Sequence, residues 1–101
     1  MTRLLDDDEI ADRLRQLPDW KRQDVEGTSA ITATFEFTDF VAALDFVNQV
    51  GHEAEQLQHH PDIDIRWNTV TLVQSSHSDG GLTEKDFDLV RRIASATGLG
   101  G

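Results

Sequence analysis

The segment from Thr28 to Phe37 alternates between apolar and polar residues, and this pattern constrains the fold more than any other part of the chain. In an extended backbone, one side would carry Ile31, Ala33, Phe35 and Phe37, and the other would carry Thr32, Thr34 and Glu36. A period of two residues predicts an antiparallel strand that is buried on one face only. The fold must therefore contain a sheet and a layer of other elements that covers its apolar face.

Three further segments have the features of helices, which could form this layer. The first begins near Asp6 to Asp8, where carboxylates suit the positive helix N-terminus, and Pro18 ends it. The third begins at Thr83, and Asp86 is placed three residues later to close a capping box. We expect both helices to pack on the sheet through apolar residues at helical spacing.

The second helix is predicted to be the longest, with Thr38 as its N-cap and Pro61 just beyond its end. Its apolar stripe would comprise Phe40, Leu44, Val47, Gly51 and Ala54, flanked by Ala43, Val50 and Leu57. A stripe of this width indicates a helix that packs across a sheet.

Additional strands are predicted before and after these elements. Trp20 to Val25 precedes a turn at Glu26-Gly27, and Ile63 to Trp67 joins Val70 to Ser76 through a turn at Asn68-Thr69. We therefore predict an α+β fold in the order α-β-β-α-β-β-α, with a four-stranded antiparallel sheet and helices packed on one face. A chain of 101 residues without repeats or linkers is expected to form a single domain over residues 1–101.

The charge balance and composition exclude several classes of protein. The chain has 9 Lys and Arg against 19 Asp and Glu, which gives a formal net charge of −10. Residues 28–82 contain Arg66 as their one strong base, so we expect no direct binding to a nucleic-acid backbone. No run approaches the roughly 18 apolar residues of a membrane helix, so we expect no membrane partner. The absence of cysteine excludes disulfides and is compatible with a cytoplasmic location.

All 4 histidines lie between residues 52 and 77. His59 and His60 are adjacent where the second helix should end, Glu55 lies one turn earlier, and His77 closes the last strand. Three interpretations stay open from residue types alone. The histidines can be ordinary surface residues, or a metal site built on His52, Glu55 and His59 with His77. They can also be the acid and base of a metal-free reaction.

A longer pattern surrounds these histidines. It comprises Ala54-Glu55-Gln56-Leu57-Gln58-His59-His60-Pro61-Asp62, then Trp67-Asn68, Ser76-His77 and Gly81-Leu82-Thr83-Glu84-Lys85-Asp86. Upstream, Pro18-Asp19-Trp20 and the segment from Phe35 to Phe40 belong to the same pattern. Over roughly residues 10–96, the chain resembles the pterin-4a-carbinolamine dehydratase family, and the combined spacing is highly specific.

The resemblance implies an enzyme that dehydrates 4a-hydroxytetrahydropterin, the product of pterin-dependent aromatic amino-acid hydroxylases. It implies neither a metal nor an organic cofactor. His59, His60 and His77 would be the catalytic residues, with His60 and His77 exchanging protons at N5 and the 4a-oxygen. General acid–base catalysis by imidazole suits this chemistry, because hydroxide is a poor leaving group.

The resemblance also implies roles for residues around the histidines. Glu55, Trp20 and Ser76 would bind or orient the substrate, with Glu55 holding a histidine and Trp20 forming a wall of the pocket. Trp67 is expected in the core, and Asp86 is expected to serve as the helix cap.

Partners of this chain would include a small pterin and further copies of itself. Thr32 and Thr34 are small residues on the presumed open face, and exposed sheet edges invite pairing, so we expect a homodimer or homotetramer. Some family members also act as dimerisation partners of a transcription factor. A non-catalytic pterin-binding or dimerisation adaptor is therefore an alternative, as is a related pterin reaction in molybdopterin metabolism.

Overall fold

The computed structural model describes residues 3–101 and contains three α-helices and a four-stranded antiparallel sheet. The helices are α1 (Asp7–Leu14), α2 (Phe40–Leu57) and α3 (Glu84–Thr97), and the strands are β1 (Lys21–Val25), β2 (Thr28–Glu36), β3 (Asp62–Arg66) and β4 (Thr69–Gln74). A short 3-10 turn, His77–Asp79, follows β4. The predicted order α-β-β-α-β-β-α and the α+β class are confirmed.

The apolar face of the sheet packs against the helices to form the core. The strand order is β1-β2-β4-β3, so β2 and β4 lie at the centre. Ile31 and Ala33 of β2 pair with Gln74 and Leu72 of β4. Their side chains join one buried cluster with residues of α2 and α3, including Phe46, Val50, Phe87 and Val90. As the alternation predicts, Ile31, Ala33 and Phe35 of β2 face the core. The prediction of burial on one face only is wrong for the first half of the strand, because Ala30 and Thr32 on the opposite face are 1% and 6% exposed. That face also carries Thr34 and the β4 partners of the two threonines, Val73 and Thr71.

The two hairpin turns differ from each other. Glu26 and Gly27 both have left-handed backbones, with φ of 52° and 82°, as a two-residue turn between right-twisted strands requires. The other turn is Trp67-Asn68, so the prediction of Asn68-Thr69 is wrong. Asn68 fixes this register because its amide donates to the Phe37 carbonyl at 2.8 Å, which leaves Thr69 free to pair within the sheet.

Trp67 is not part of the core, contrary to the expectation from sequence. It has a φ of 51° in the turn, and it is 68% exposed. A turn at the end of a hairpin lies beyond the helix layer, so the ring has no apolar layer to pack against.

Helix α2 differs from its prediction in its cap and in its buried face. Asp39, and not Thr38, is the N-cap, and its carboxylate accepts from the Ala42 N–H at 2.8 Å. The buried residues are Ala43, Phe46, Val50 and Ala54, whereas Phe40 and Leu44 of the predicted stripe are 44% and 38% exposed. The large Phe46 ring sets this rotation, because it packs between Phe35 and Phe37 with ring centroids 5.2 and 5.1 Å away.

Capping residues define the starts of the other two helices. Asp6 caps α1 and accepts from the Glu9 N–H at 2.8 Å, while the Glu9 carboxylate accepts from the Asp6 N–H. Thr83 is the N-cap of α3, and the Asp86 carboxylate accepts from its backbone N–H at 2.9 Å. The predicted capping box is therefore confirmed. Within residues 3–101, each helix is too short or too polar to span a lipid bilayer.

Candidate active site

The end of α2 directs His59 and His60 into different surroundings. Gln58 is the C-cap and adopts a left-handed backbone with φ of 52°. Its N–H donates to the carbonyls of Ala54 and Glu55, and the His59 N–H donates to the same Ala54 carbonyl at 3.1 Å. These bonds close the helix, and Pro61 prevents it from continuing. The two imidazoles therefore leave the helix end at different angles.

His59 is held by a buried aspartate. Its Nε2 lies 2.6 Å from Oδ1 of Asp86, whose side chain is completely buried, and the His59 side chain is 13% exposed. The other carboxylate oxygen of Asp86 accepts from the Ser76 hydroxyl at 3.0 Å and from the Thr83 N–H. With Asp86 ionised, Nε2 of His59 is the donor in this contact, because a carboxylate only accepts hydrogen bonds. In that state Asp86 holds both the ring and its tautomer.

His60 is paired with Glu55 on the surface. Its Nε2 lies 2.7 Å from a Glu55 carboxylate oxygen, and the two side chains are 57% and 70% exposed. The hydrogen bond from His60 lowers the pKa of Glu55 below its ordinary value, with smaller contributions from Gln58 and from the charge of His60. Glu55 therefore contacts His60, although His59 is the histidine one helical turn away.

His60 and His77 line a common cleft of about 390 Å³. The other lining residues are Val25, Glu26, Thr28, Ala30, Asp62, Val73 and Ser75. Asp62 pairs with Val73, and Val73 with Thr32, so these side chains lie on the sheet face opposite the helices. The cleft volume falls within the usual range of small-molecule sites, which is about 300–1,000 Å³.

A second hollow, of about 320 Å³, brings the three predicted catalytic residues together. It shares His60, Ser75 and His77 with the cleft and adds His59 and Ser76, with Gln58, Ser78, Asp79 and Lys85. Ser76 lies just beyond β4, where its hydroxyl is 2.6 Å from that of Thr83. The three imidazoles therefore border one continuous region at the end of the sheet.

Trp20 lies in the core and not beside the histidines. It is 4% exposed and packs edge-on against Phe35, with ring centroids 6.5 Å apart. Its Nε1 has no hydrogen-bond partner within the described part of the chain. Trp20 is absent from the lining of both hollows, so within one chain it belongs to the core and not to the histidine region.

The residues considered for a metal site each have a different partner. His52 is hydrogen-bonded to Gln56 at 3.1 Å, while Glu55 and His59 contact His60 and Asp86. In residues 3–101, no three His, Asp or Glu side chains are grouped closely enough to hold a metal ion.

Sequence reasoning missed the second contact of Asp86 and the position of Glu26. Asp86 is the helix cap that the sequence predicts, but it is also the partner of His59. One local signal was available, since a capping box usually has Glu or Gln at this position and a shorter aspartate stays close to the helix end. Glu26 gave no such signal, because its proximity to the cleft depends on the assembled sheet.

These features define a small α+β protein with a candidate acid–base site at one end of its sheet. Residues 3–96 match the sequence model of the family described as pterin 4 alpha carbinolamine dehydratase, and the chain belongs to that family. A relative from Nocardia farcinica is 50% identical over 92 residues, covering 91% of this chain and 93% of the relative. One from Acidobacterium capsulatum is 54% identical over 84 residues, covering 83% and 87%. Both are provisionally named pterin-4-alpha-carbinolamine dehydratase.

Solved structures agree with this family membership. A transcriptional coactivator/pterin dehydratase from Brucella melitensis is similar with a TM-score of 0.83 and 35% identity, covering 98% of this chain and 100% of that one. A pterin dehydratase-like protein described as a RuBisCO assembly factor in the alpha-carboxysome has a TM-score of 0.64 at 17% identity, covering 79% of this chain and 90% of its own. The second comparison shows a likeness of fold alone.

Proposed function

We propose that this protein dehydrates 4a-hydroxytetrahydropterin to quinonoid dihydropterin and water, and so recycles the pterin of aromatic amino-acid hydroxylases. The observation that carries the proposal is that His60 and His77 line one cleft of about 390 Å³. Family membership supports a pterin as the ligand of this cleft. We also propose a cytoplasmic location, with which a chain of 0 cysteines is compatible.

The reaction requires one acid and one base. The C4a–O bond breaks as the acid protonates the departing oxygen, which leaves as water. The base takes the N5 proton, and the electron pair of the N5–H bond forms the C4a=N5 double bond. An imidazole can perform either transfer near neutral pH, so we assign His60 and His77 to these two atoms, one to each.

The remaining residues would bind or position. His59 borders the same region and is fixed by Asp86, so we assign it contact with the pterin as the third imidazole. Glu55 would orient His60, and Ser76 would orient Asp86 through its hydroxyl. A contact between Trp20 and the substrate stays a prediction from the resemblance.

The proposal is tested by following the decay of 4a-hydroxytetrahydropterin, generated by a hydroxylase, with the protein present or absent. We expect a faster decay that a chelator does not change. Loss of activity with chelator and its recovery with zinc would contradict the metal-free mechanism.

Histidine variants test the assignment of roles. His60→Ala and His77→Ala should each lower kcat by about 10²–10⁴-fold, the usual effect of a general acid or base. Spontaneous dehydration of the substrate sets the lower limit of the measurement. His52→Ala is the control and should stay within about threefold of the parent, since this exposed residue is hydrogen-bonded to Gln56 and lines neither the cleft nor the hollow. Equal losses in all three variants would mean that the site is misplaced.

A second candidate function is that of a non-catalytic adaptor. The description of the Brucella melitensis relative as a coactivator as well as a pterin dehydratase favours it. An adaptor would give no acceleration over spontaneous dehydration, and its His60→Ala variant would behave like the parent.

A further inference from the structure

Both walls of the cleft carry a carboxylate. The β1–β2 turn contributes Glu26 to one wall, and the start of β3 contributes Asp62 to the other. The strand order β1-β2-β4-β3 places these walls on opposite sides of Val73 and Ser75. Among residues 3–101, Glu26 and Asp62 are the only titratable side chains of the cleft lining apart from the two imidazoles.

No cation in the described part of the chain neutralises these carboxylates. Within residues 3–101, each of the nine ion pairs involves other residues. Over the same residues, the cleft lining contains neither lysine nor arginine, and the lining of the adjoining hollow contains one lysine, Lys85, and one carboxylate, Asp79. Glu55 beside His60 adds another acidic group at the rim. With the imidazoles neutral, the charges that line the cleft are therefore all negative, and so is its field.

This field determines which pterins can bind. We propose that Glu26 and Asp62 make the cleft selective for pterins without a phosphate group, and this rests on the proposed function because it takes the ligand to be a pterin. A phosphate monoester carries about −1.5 to −2 charges at neutral pH, so both walls repel it. Proteins that bind phosphate present arginine, lysine or the N-terminus of an α-helix, and none of these lines the cleft in the part of the chain that the structure describes, since Lys85 of α3 lines only the adjoining hollow.

A pterin without a phosphate group is not repelled by these carboxylates and can form hydrogen bonds with them. Its ring carries N–H donors at N3 and at the 2-amino group, and carboxylate oxygens accept such bonds well. Val25, Ala30 and Val73 form the apolar part of the cleft lining, against which the flat faces of the ring would pack. Among pterin reactions, those of phosphate-bearing pterins such as molybdopterin are therefore disfavoured.

Binding of two matched probes tests the selectivity without relying on turnover. We would measure the Kd of 6-hydroxymethylpterin and of its phosphate monoester by pterin fluorescence. At about 0.01 M ionic strength, the parent should bind the uncharged probe about tenfold more tightly. At about 1 M, where the Debye length is about 3 Å, the ratio should fall to about twofold.

The variant Glu26→Gln with Asp62→Asn should lower the low-salt ratio to about twofold. The matched control is Asp24→Asn with Glu36→Gln, which removes two exposed carboxylates outside the cleft lining and should leave the ratio unchanged. Equal affinity of the parent for both probes, or an equal effect of the control pair, would overturn the selectivity while leaving pterin binding intact. Failure of the parent to bind either probe would overturn the proposed function as well. The salt series on the parent tests whether the selectivity is electrostatic, and the single variants Glu26→Gln and Asp62→Asn test its assignment to the cleft even if the double variant does not fold.

Discussion

His59 and His60 are consecutive residues, but the fold gives them unequal surroundings. The partner of His59 is the fully buried Asp86, whereas the partner of His60 is the exposed Glu55. An exposed ion pair adds little rigidity in water, while a buried and fully hydrogen-bonded network holds its members in place. We therefore interpret His59 as the fixed imidazole of the region and His60 as the one with more freedom to adjust to a ligand.

The buried carboxylate of Asp86 serves both the helix cap and His59, so its replacement should affect stability and activity. Asp86→Asn should lower the free energy of unfolding by about 1–3 kcal/mol, because an amide cannot accept all the bonds that His59, Ser76 and Thr83 donate. It should also raise KM and change the pH profile of kcat/KM, because Asp86 positions His59 and His59 contacts the pterin in the proposed site. Urea unfolding and steady-state kinetics measure the two effects.

The matched control is Asp88→Asn on the same helix, where the side chain is 49% exposed and pairs with Arg91. Its effect on stability should stay within about 0.5 kcal/mol. If Asp86→Asn changed stability but not the pH profile, Asp86 would be a helix cap and not a positioning residue.

Helices α1 and α3 are joined by a bidentate ion pair. Arg13 donates from Nε and from a terminal nitrogen to the Glu84 carboxylate, at 2.8 and 3.0 Å. The hydrogen bond from Arg13 lowers the pKa of Glu84, and the same bond raises the pKa of Arg13. The pair adds a polar contact to the apolar attachment of α1, in which Ile10 is buried and Leu14 packs against the core.

The lowered pKa of Glu84 makes the contribution of the ion pair to stability depend on pH. Because folding lowers the pKa of Glu84, the pair stabilises the fold at a pH above the ordinary glutamate value and stops doing so as the pH falls through the lowered value. Glu84→Gln should cost about 0.5–1 kcal/mol at pH 7, since the pair is partly exposed, and progressively less as the pH falls through the lowered pKa of Glu84. Urea titrations of the parent and of Glu84→Gln at several pH values would measure this pH dependence of the free energy of unfolding. Glu36→Gln, at an exposed glutamate, is the control, and a pH-independent cost of Glu84→Gln would contradict the explanation.

Two opposing features govern association of the whole molecule. Apolar side chains remain exposed on one chain, including Phe40, Val41 and Trp67 at 44%, 64% and 68%. Strands β1 and β3 are also free edges of the sheet, which can pair with another strand. Against these stands the −10 charge of each chain.

We predict a homodimer or homotetramer that is tighter in moderate salt than in dilute buffer. Screening is the reason, because the Debye length is about 8 Å at physiological ionic strength and about 30 Å at 0.01 M. Light scattering coupled to size exclusion, at both salt levels, measures the mass. A particle of 11.3 kDa in both buffers would show that the chain is a monomer.

The sequence by itself determined the features that depend on local spacing. The alternation in β2 identifies the buried face, and the Thr83–Asp86 spacing identifies the start of α3. The Glu55, His-His-Pro and His77 pattern identifies the family. Strand period, the capping box of α3 and motif spacing are set by nearby residues, so they can be read along the chain.

Only the tertiary structure decided which surfaces meet. The rotation of α2 follows from the packing of Phe46 against Phe35 and Phe37, and not from the average of its apolar residues. Likewise, Asp86 reaches His59 across 27 positions of sequence, and Glu26 borders a cleft with His60 and Asp62 through the order of the strands. Contacts of this kind depend on packing between distant segments, because a side chain finds its partner only after the backbone elements have docked.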